Sequence, residues 1–188
     1  PNWAGSAVAG TPQLPVIVHE MGNFVSWPLL RDQIGRFVDN IKPYWLTPPL
    51  AAVTQAGLLG ENALWSERSN RLYLFCWKDQ LEAVRKSEKI SGNEWWLLQD
   101  YWTGANGILD TYYVSKHPES ELDEIRSINA AIQLLIAEPG DSLQTPPQSR
   151  LQRAYSSNET LTTSLHISNY GATTIAATSG AVISWSVV

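Results

Sequence analysis

The sequence is poor in several things that would have defined it. It has a single cysteine, Cys76, which excludes an internal disulfide framework and a cysteine-rich zinc site. It has no cationic excess: 13 Lys and Arg stand against 18 Asp and Glu, for a formal net charge of -5. With no basic stripe or cluster, a nucleic-acid partner is not expected. Its apolar runs are far too short for a membrane span. No initiating Met and no charged-then-apolar leader open it. It begins instead on PNWAGSAVAGTPQLP, a small-residue, Pro- and Gly-rich stretch that reads as loop. The chain is therefore expected to be a piece of a longer polypeptide.

What is present is a foldable composition. Of 188 residues 44% are hydrophobic and 16% charged, enough for a real core in one domain or slightly more. Nine tryptophans outnumber Phe, Met and Cys together. Each is either core filling or a flat face for a half-dry, half-wet ligand such as a sugar ring.

PVIVHEMGN, residues 15 to 23, carries the first chemical question. Leu14 to Val18 is a continuous apolar run, the pattern of a strand buried on both faces. It stops at His19 and Glu20. A zinc reading of HEMGN fails: the zincin motif needs a second His four residues after the first, on a helix, and position 23 is Asn. Two readings of Glu20 stay open. It is a structural carboxylate in an ion pair, or a working carboxylate at a strand end, where α/β barrels place their chemistry. Adjacent side chains on a regular strand point to opposite faces, so only one of His19 and Glu20 faces the mouth unless the strand bulges.

Downstream, Leu30, Ile34, Phe37 and Ile41 recur at helical spacing up to Pro43. Pro48 and Pro49 open a second helix carrying Leu50 and Val53, ending near Gly57 to Gly60. Residues 71 to 87 form a third, with Leu74, Trp77, Leu81 and Val84 on one stripe. NEWWLLQDYW, residues 93 to 102, reads as a second buried strand ending in Gln99, Asp100, Tyr101 and Trp102, followed by the loop TGANG. Residues 119 to 137 read as a fourth helix with Leu122, Ile125, Ile128, Ile132 and Leu135 aligned. His117 and His166 have no evident partners and read as surface residues.

EPGDSLQTPPQS, residues 138 to 149, reads as a linker. After it Thr and Ser dominate and the period becomes two. Leu161, Thr163, Leu165 and Ile167 alternate, NYG (169 to 171) is a turn, and Ala181, Ile183, Trp185 and Val187 alternate again. That is antiparallel β, with too few strands for a complete sandwich. The expected fold class is α/β, with the three parts bounded at 1–137, 138–150 and 151–188. One N-x-S/T sequon, Asn158-Glu159-Thr160, points to a glycosylated, secreted or extracellular protein.

In order along the chain, these segments resemble the glycoside hydrolase family 2 and β-galactosidase-like enzymes. PVIVHEMGNFVSWPLL resembles the strand carrying the nucleophile. AGLLGENALWSERSNRLYLFCWKDQLEAVRKS is similar to the helix before the last barrel strand, and NEWWLLQDYWTGANGILD to that strand and its loop. SSNETLTTSLHISNYG is similar to the start of the following immunoglobulin-like domain. The resemblance implies the C-terminal portion of a (β/α)8 barrel and the first strands of a β-sandwich. It implies retaining exo-hydrolysis of terminal β-linked sugars by two carboxyl groups, with no cofactor and no metal. Glu20 matches the nucleophile; His19, Asn23, Asp100 and Trp102 match pocket positions. The family's acid/base Glu follows an Asn on an earlier strand, which these 188 residues lack. The missing strands would come from the same polypeptide or a partner chain, and this segment alone would be inactive. The relatives' loop after the last strand is longer than TGANG, so a second reading stands beside the enzyme: an extracellular structural or carbohydrate-binding protein that kept the fold without catalysis.

Overall fold

The computed structural model describes residues 14–38, 40–87, 89–137, 156–171, 182 and 184. Four helices and two small sheets make a mixed α/β architecture among them. The order is β1 (Ile17–Met21), α1 (Leu30–Arg36), α2 (Thr47–Gln55), a 3-10 turn (Leu59–Glu61), α3 (Asn62–Lys86), β2 (Gly92–Trp95), α4 (Glu119–Ile128), β3 (Ile132–Ala137) and β4 (Ser164–Asn169). The linker expected at 138–149 and the alternation at Ala181, Ile183, Trp185 and Val187 lie outside the described residues.

β1 and β2 pair in parallel, Ile17 opposite Gly92 and Val18 opposite Asn93. Three helical segments and the 3-10 turn lie between them, the crossover that parallel strands require. The long helix α3 covers this pair. Its buried positions Asn62, Ser66, Asn70, Tyr73, Trp77, Leu81 and Val84 recur every three or four residues. Of these, Tyr73, Trp77, Leu81 and Val84 join Val18, Met21, Leu74, Ile90 and Ile128 in the main core. Trp77 and Trp95 stack at 4.3 Å between centroids inside it. A second cluster gathers Leu30, Leu46 and Val53 under Trp27, Trp45 and Trp65. Asn62 joins the two. Its Oδ1 accepts from the Leu30 N–H at 3.2 Å and its Nδ2 donates to the Pro28 carbonyl at 2.9 Å. Thus the start of α3 caps α1, which has no side-chain cap of its own.

Several expectations are corrected here. α3 begins at Asn62, not Arg71. Two buried polar residues in its first turns, Ser66 and Asn70, hide the stripe from a count of apolar positions. α1 ends at Arg36, so Ile41 lies beyond it and is 63% exposed. β1 is not buried on both faces: Leu14 and Ile17 are exposed, and only Val18 and Met21 turn inward. β2 stops at Trp95, and beyond it Gln99 and Tyr101 form only isolated bridges, to Leu109 and Gly104 of the loop that follows. Most plainly, the helix expected over 119–137 ends at Ile128, and Ile132–Ala137 is strand. Asn129 closes α4, and the β-branched, apolar run after it pairs antiparallel with β4, Leu135 opposite His166. On this ribbon Leu165 and Ile167 share an exposed face with Ile132, Leu134 and Ile136, while Leu135 and Ala137 turn inward.

Gly22 follows β1 with φ +88, a backbone that only glycine adopts without strain, and a Cβ there would fall inside the Trp95 indole. Gly22→Ala is expected to cost about 2–4 kcal/mol, strain and overpacking together. Urea unfolding monitored by Trp fluorescence checks it. An unchanged midpoint would show that the β1–Trp95 contact is loose.

Candidate functional site

The strand ends carry the site. β1 does not keep its alternation: its register with β2 shifts between Val18 and Met21. Glu20 has φ +51, a left-handed backbone rare for a residue other than Gly, Asn or Asp. The shift turns both His19 and Glu20 outward and returns Met21 to the core, where it is 1% exposed. This resolves which of the two is presented: both are. His19 Nε2 lies 3.2 Å from Glu94 Oε2 on β2, an open pair. The Glu20 carboxylate has no hydrogen-bonding or ionic partner among the described residues. A bulge at a strand end is a common device for re-aiming a side chain.

Three loops meet near the strand ends, residues 22–29 after β1, residues 99–107 after β2 and residues 110–117 before α4, and neither His19 nor Glu20 lines the groove they border. Lys116 is their junction. Its Nζ donates to Asp100 Oδ1 at 2.6 Å, to Ser26 Oγ at 2.9 Å and to the Ala105 carbonyl at 3.2 Å. Asp100 Oδ1 also accepts from the Gly107 N–H at 2.9 Å. The Asp100 and Lys116 side chains are 3% and 8% exposed. Burial raises the Asp100 pKa, opposed by Lys116 and the Gly107 N–H. Burial likewise lowers that of Lys116, opposed by Asp100. The loops are knit further by Ser26, whose N–H and Oγ both donate to the Ala105 carbonyl. Asn106 Nδ2 donates to Asn23 Oδ1 at 2.7 Å and to the Phe24 carbonyl at 3.0 Å.

Between the first two loops and α1 opens a groove of about 190 Å³ walled by Trp27, Trp45 and Tyr101, with Gln33, Asp100 and Thr103 as its polar lining. Trp102 does not line it. It stands on the rim, 45% exposed, edge-on to Tyr44 and Trp45 at 5.8 and 6.0 Å. Of the residues singled out from sequence, Asn23 and Asp100 are brought together through the 104–107 loop, and Trp102 flanks the groove that Asp100 lines. Asp100 is committed to Lys116 and Gly107. Asn158 is exposed.

His117 corrects its expectation as a surface residue. Its side chain is fully buried, Nδ1 lies 2.8 Å from Glu121 Oε2, and its ring tilts against Tyr73 at 6.0 Å. His166 is half-buried on β4. Sequence reasoning missed Lys116, Ser26 and Asn106. Among the described residues no group of three or more His, Cys, Asp or Glu gathers as metal ligands would. No described helix is long and apolar enough to cross a membrane. No protein-family model matches the chain, and no curated protein matches it.

Removing one partner of a buried ion pair strands the other. Lys116→Met is expected to cost about 3–5 kcal/mol at neutral pH, and the added Asp100→Asn to restore part of that loss. Without Lys116 the Asp100 pKa rises further, so the folded state binds that proton more tightly than the unfolded chain. The deficit of Lys116→Met should therefore shrink as pH falls from that raised value toward the ordinary carboxylate range. Denaturant unfolding of the single and double variants across pH checks both. A deficit independent of pH would mean that Asp100 does not carry the stranded charge.

Proposed function

We propose that β1 and β2 are successive strands of a (β/α)8 glycosidase barrel, that β3 and β4 open an immunoglobulin-like sandwich, and that Glu20 is the nucleophile of a retaining exo-β-glycosidase. The observation that carries this is Glu20 itself. A carboxylate on strained backbone, turned out at the C-terminal end of a parallel strand and without a partner among the described residues, is poorly explained as a structural ion pair. Strain of this kind persists where the surroundings over-determine it, and such sites are often functional. The exposed face of Ile17 is consistent with further strands or helices closing over β1.

On this reading the Glu20 carboxylate attacks the anomeric carbon as the glycosidic bond breaks. A carboxylic acid from outside this segment, about 5–5.5 Å away, protonates the departing oxygen. The resulting glycosyl ester is cleaved by water, which the same acid, now a base, deprotonates; Glu20 leaves as carboxylate. His19 and Asn23 border the nucleophile, and the groove walled by Trp27, Trp45 and Tyr101 offers flat apolar faces beside polar groups. That combination suits pyranose rings. The protein is secreted or extracellular on this reading, with Asn158 its glycan acceptor. Asp100 shapes the pocket wall through Lys116.

The exposed aromatic rim of Tyr44, Tyr101 and Trp102 also favours a second reading, in which the fold binds carbohydrate without turning it over. One substitution separates them. In the native full-length protein, Glu20→Gln should lower kcat on 4-nitrophenyl β-glycosides by at least about 10⁴-fold with the melting temperature nearly unchanged. Most activity remaining would remove Glu20 as nucleophile. Sugar binding without turnover in the wild type would favour the binding protein.

A further inference from the structure

Asn106 is 4% exposed, in the loop after β2 and far in sequence from β1. Its carboxamide nitrogen is engaged with the loop after Glu20: Nδ2 donates to Asn23 Oδ1 and to the Phe24 carbonyl. The Phe24 carbonyl only accepts, so the nitrogen must face that loop. The backbone carbonyl of Asn106 in turn accepts from Tyr73 Oη at 2.8 Å, and Tyr73 Oη accepts from Trp95 Nε1 at 2.8 Å. Trp95 is the ring on which Gly22 rests. One tyrosine of α3 thus holds both supports of the segment after Glu20: the indole beneath Gly22 and the carboxamide that grips Asn23 and Phe24. Tyr73 is 2% exposed and belongs to the main core, which makes the anchor rigid.

Glu20 itself has no such hold. Its carboxylate is unpartnered among the described residues and its φ is strained, so its orientation depends on what fixes the residues on either side. Before it, Val18 is fixed by pairing with Asn93. After it, Met21 is fixed by its carbonyl, which accepts from the Trp96 N–H at 2.8 Å, and Asn23 by Asn106. We propose that Asn106 is a positioning residue for Glu20: its carboxamide clamps the 22–24 turn and so holds the nucleophile's backbone in the left-handed conformation. This rests on the glycosidase reading for its catalytic consequence and on hydrogen bonding alone for its structural one. Asn106→Asp keeps the shape but replaces the donating nitrogen by an acceptor. The Phe24 carbonyl only accepts, so that half of the clamp is lost without leaving a cavity, while Asn23 can turn its own amide to donate.

The test compares Asn106→Asp and Asn23→Ala with the wild type and Glu20→Gln, all in the native full-length protein. Asn23 is exposed, so its truncation is tolerated even where Asn106→Asp fails to fold. Backbone hydrogen–deuterium exchange over residues 19–27 should accelerate about tenfold or more in both variants, with protection of α3 unchanged. On 4-nitrophenyl β-galactoside, β-glucoside, β-mannoside and β-glucuronide, kcat of Asn106→Asp should fall about 100-fold, the scale of a misplaced catalytic group. KM should stay within about threefold, because the ground-state contacts remain. Unchanged exchange over 19–27 in both variants, or in Asn23→Ala where Asn106→Asp does not fold, overturns the clamp. Faster exchange with unchanged kcat in Asn106→Asp overturns the positioning role alone, when the wild type is active and Glu20→Gln is not. If Glu20→Gln matches the wild type on every substrate, the glycosidase reading falls and with it the catalytic role of the clamp. The exchange result still decides whether Asn106 holds the turn.

Discussion

The contact between Lys116 Nζ and Asp100 Oδ1 is the constraint on which the strand-end region depends. A buried ammonium and a buried carboxylate each lose several kcal/mol of hydration, and neither is tolerable alone. Their pairing therefore fixes where three loops go. Lys116 must reach the end of the second strand, Asp100 must turn inward rather than toward solvent, and Ser26 must bring the first loop within reach of the same nitrogen. The neutral bonds among Ser26, Ala105, Asn106 and Asn23 then become short and local. The charge pair sets the approximate placement, and the amides and hydroxyls refine it.

The same pairing of charges bears on why Glu20 has no partner among the described residues. Every other carboxylate near the strand ends is engaged: Glu94 with His19, Asp100 with Lys116, Asp110 with Arg36 and with the N–H groups of Tyr112 and Val114. The register shift in β1 withdraws Glu20 from the alternation that would have buried it, and Met21 takes the core position in its stead. A regular strand would place either a glutamate in the core or a methionine in water. The bulge avoids both, at the cost of a strained φ. Gly22 is what makes that geometry feasible, since only a residue without Cβ can lie against the Trp95 ring.

Short-range patterns were legible in the sequence and long-range ones were not. The proline start of α2 and the strand ending at His19 and Glu20 follow from spacing within ten residues, whereas the parallel pairing of Ile17 with Gly92 spans 75 positions. The strand at 132–137 did not follow either, because Ile128, Ile132 and Leu135 happen to continue a helical step. What decides against the helix is Asn129 closing α4 and the backbone pairing offered by residues 164–169, which no local window contains. The burial of His117 is hidden from the sequence because the ring that covers it, Tyr73, lies 44 positions away on α3, although its partner Glu121 is only four residues on. The junction itself was invisible for the same reason: Asn23 and Asn106 are separated by 83 positions and Ser26 and Lys116 by 90. Neither Lys116 nor Asn106 belongs to any apolar stripe or motif. The one available hint was compositional, an unusual density of small and amide residues in TGANG, where close backbone approach needs glycine. A Cβ at Gly107 would overlap the Gln99–Asp100 peptide.

The tryptophans divide along the same line between core and surface. Trp77 and Trp95 stack in the main core, and Trp95 spends its N–H on Tyr73. Trp45 and Trp102 meet edge to face on the rim, an arrangement that satisfies the ring quadrupoles while leaving flat faces unpaired. A cluster built only for packing would have buried those faces, since each indole withdrawn from water is worth several kcal/mol. Keeping Tyr44, Tyr101 and Trp102 about half exposed beside a groove forfeits that stabilisation. The forfeiture is intelligible when something other than the chain itself covers the rings. That is why the aromatic excess, uninformative residue by residue, supports a ligand reading once its members are sorted by burial.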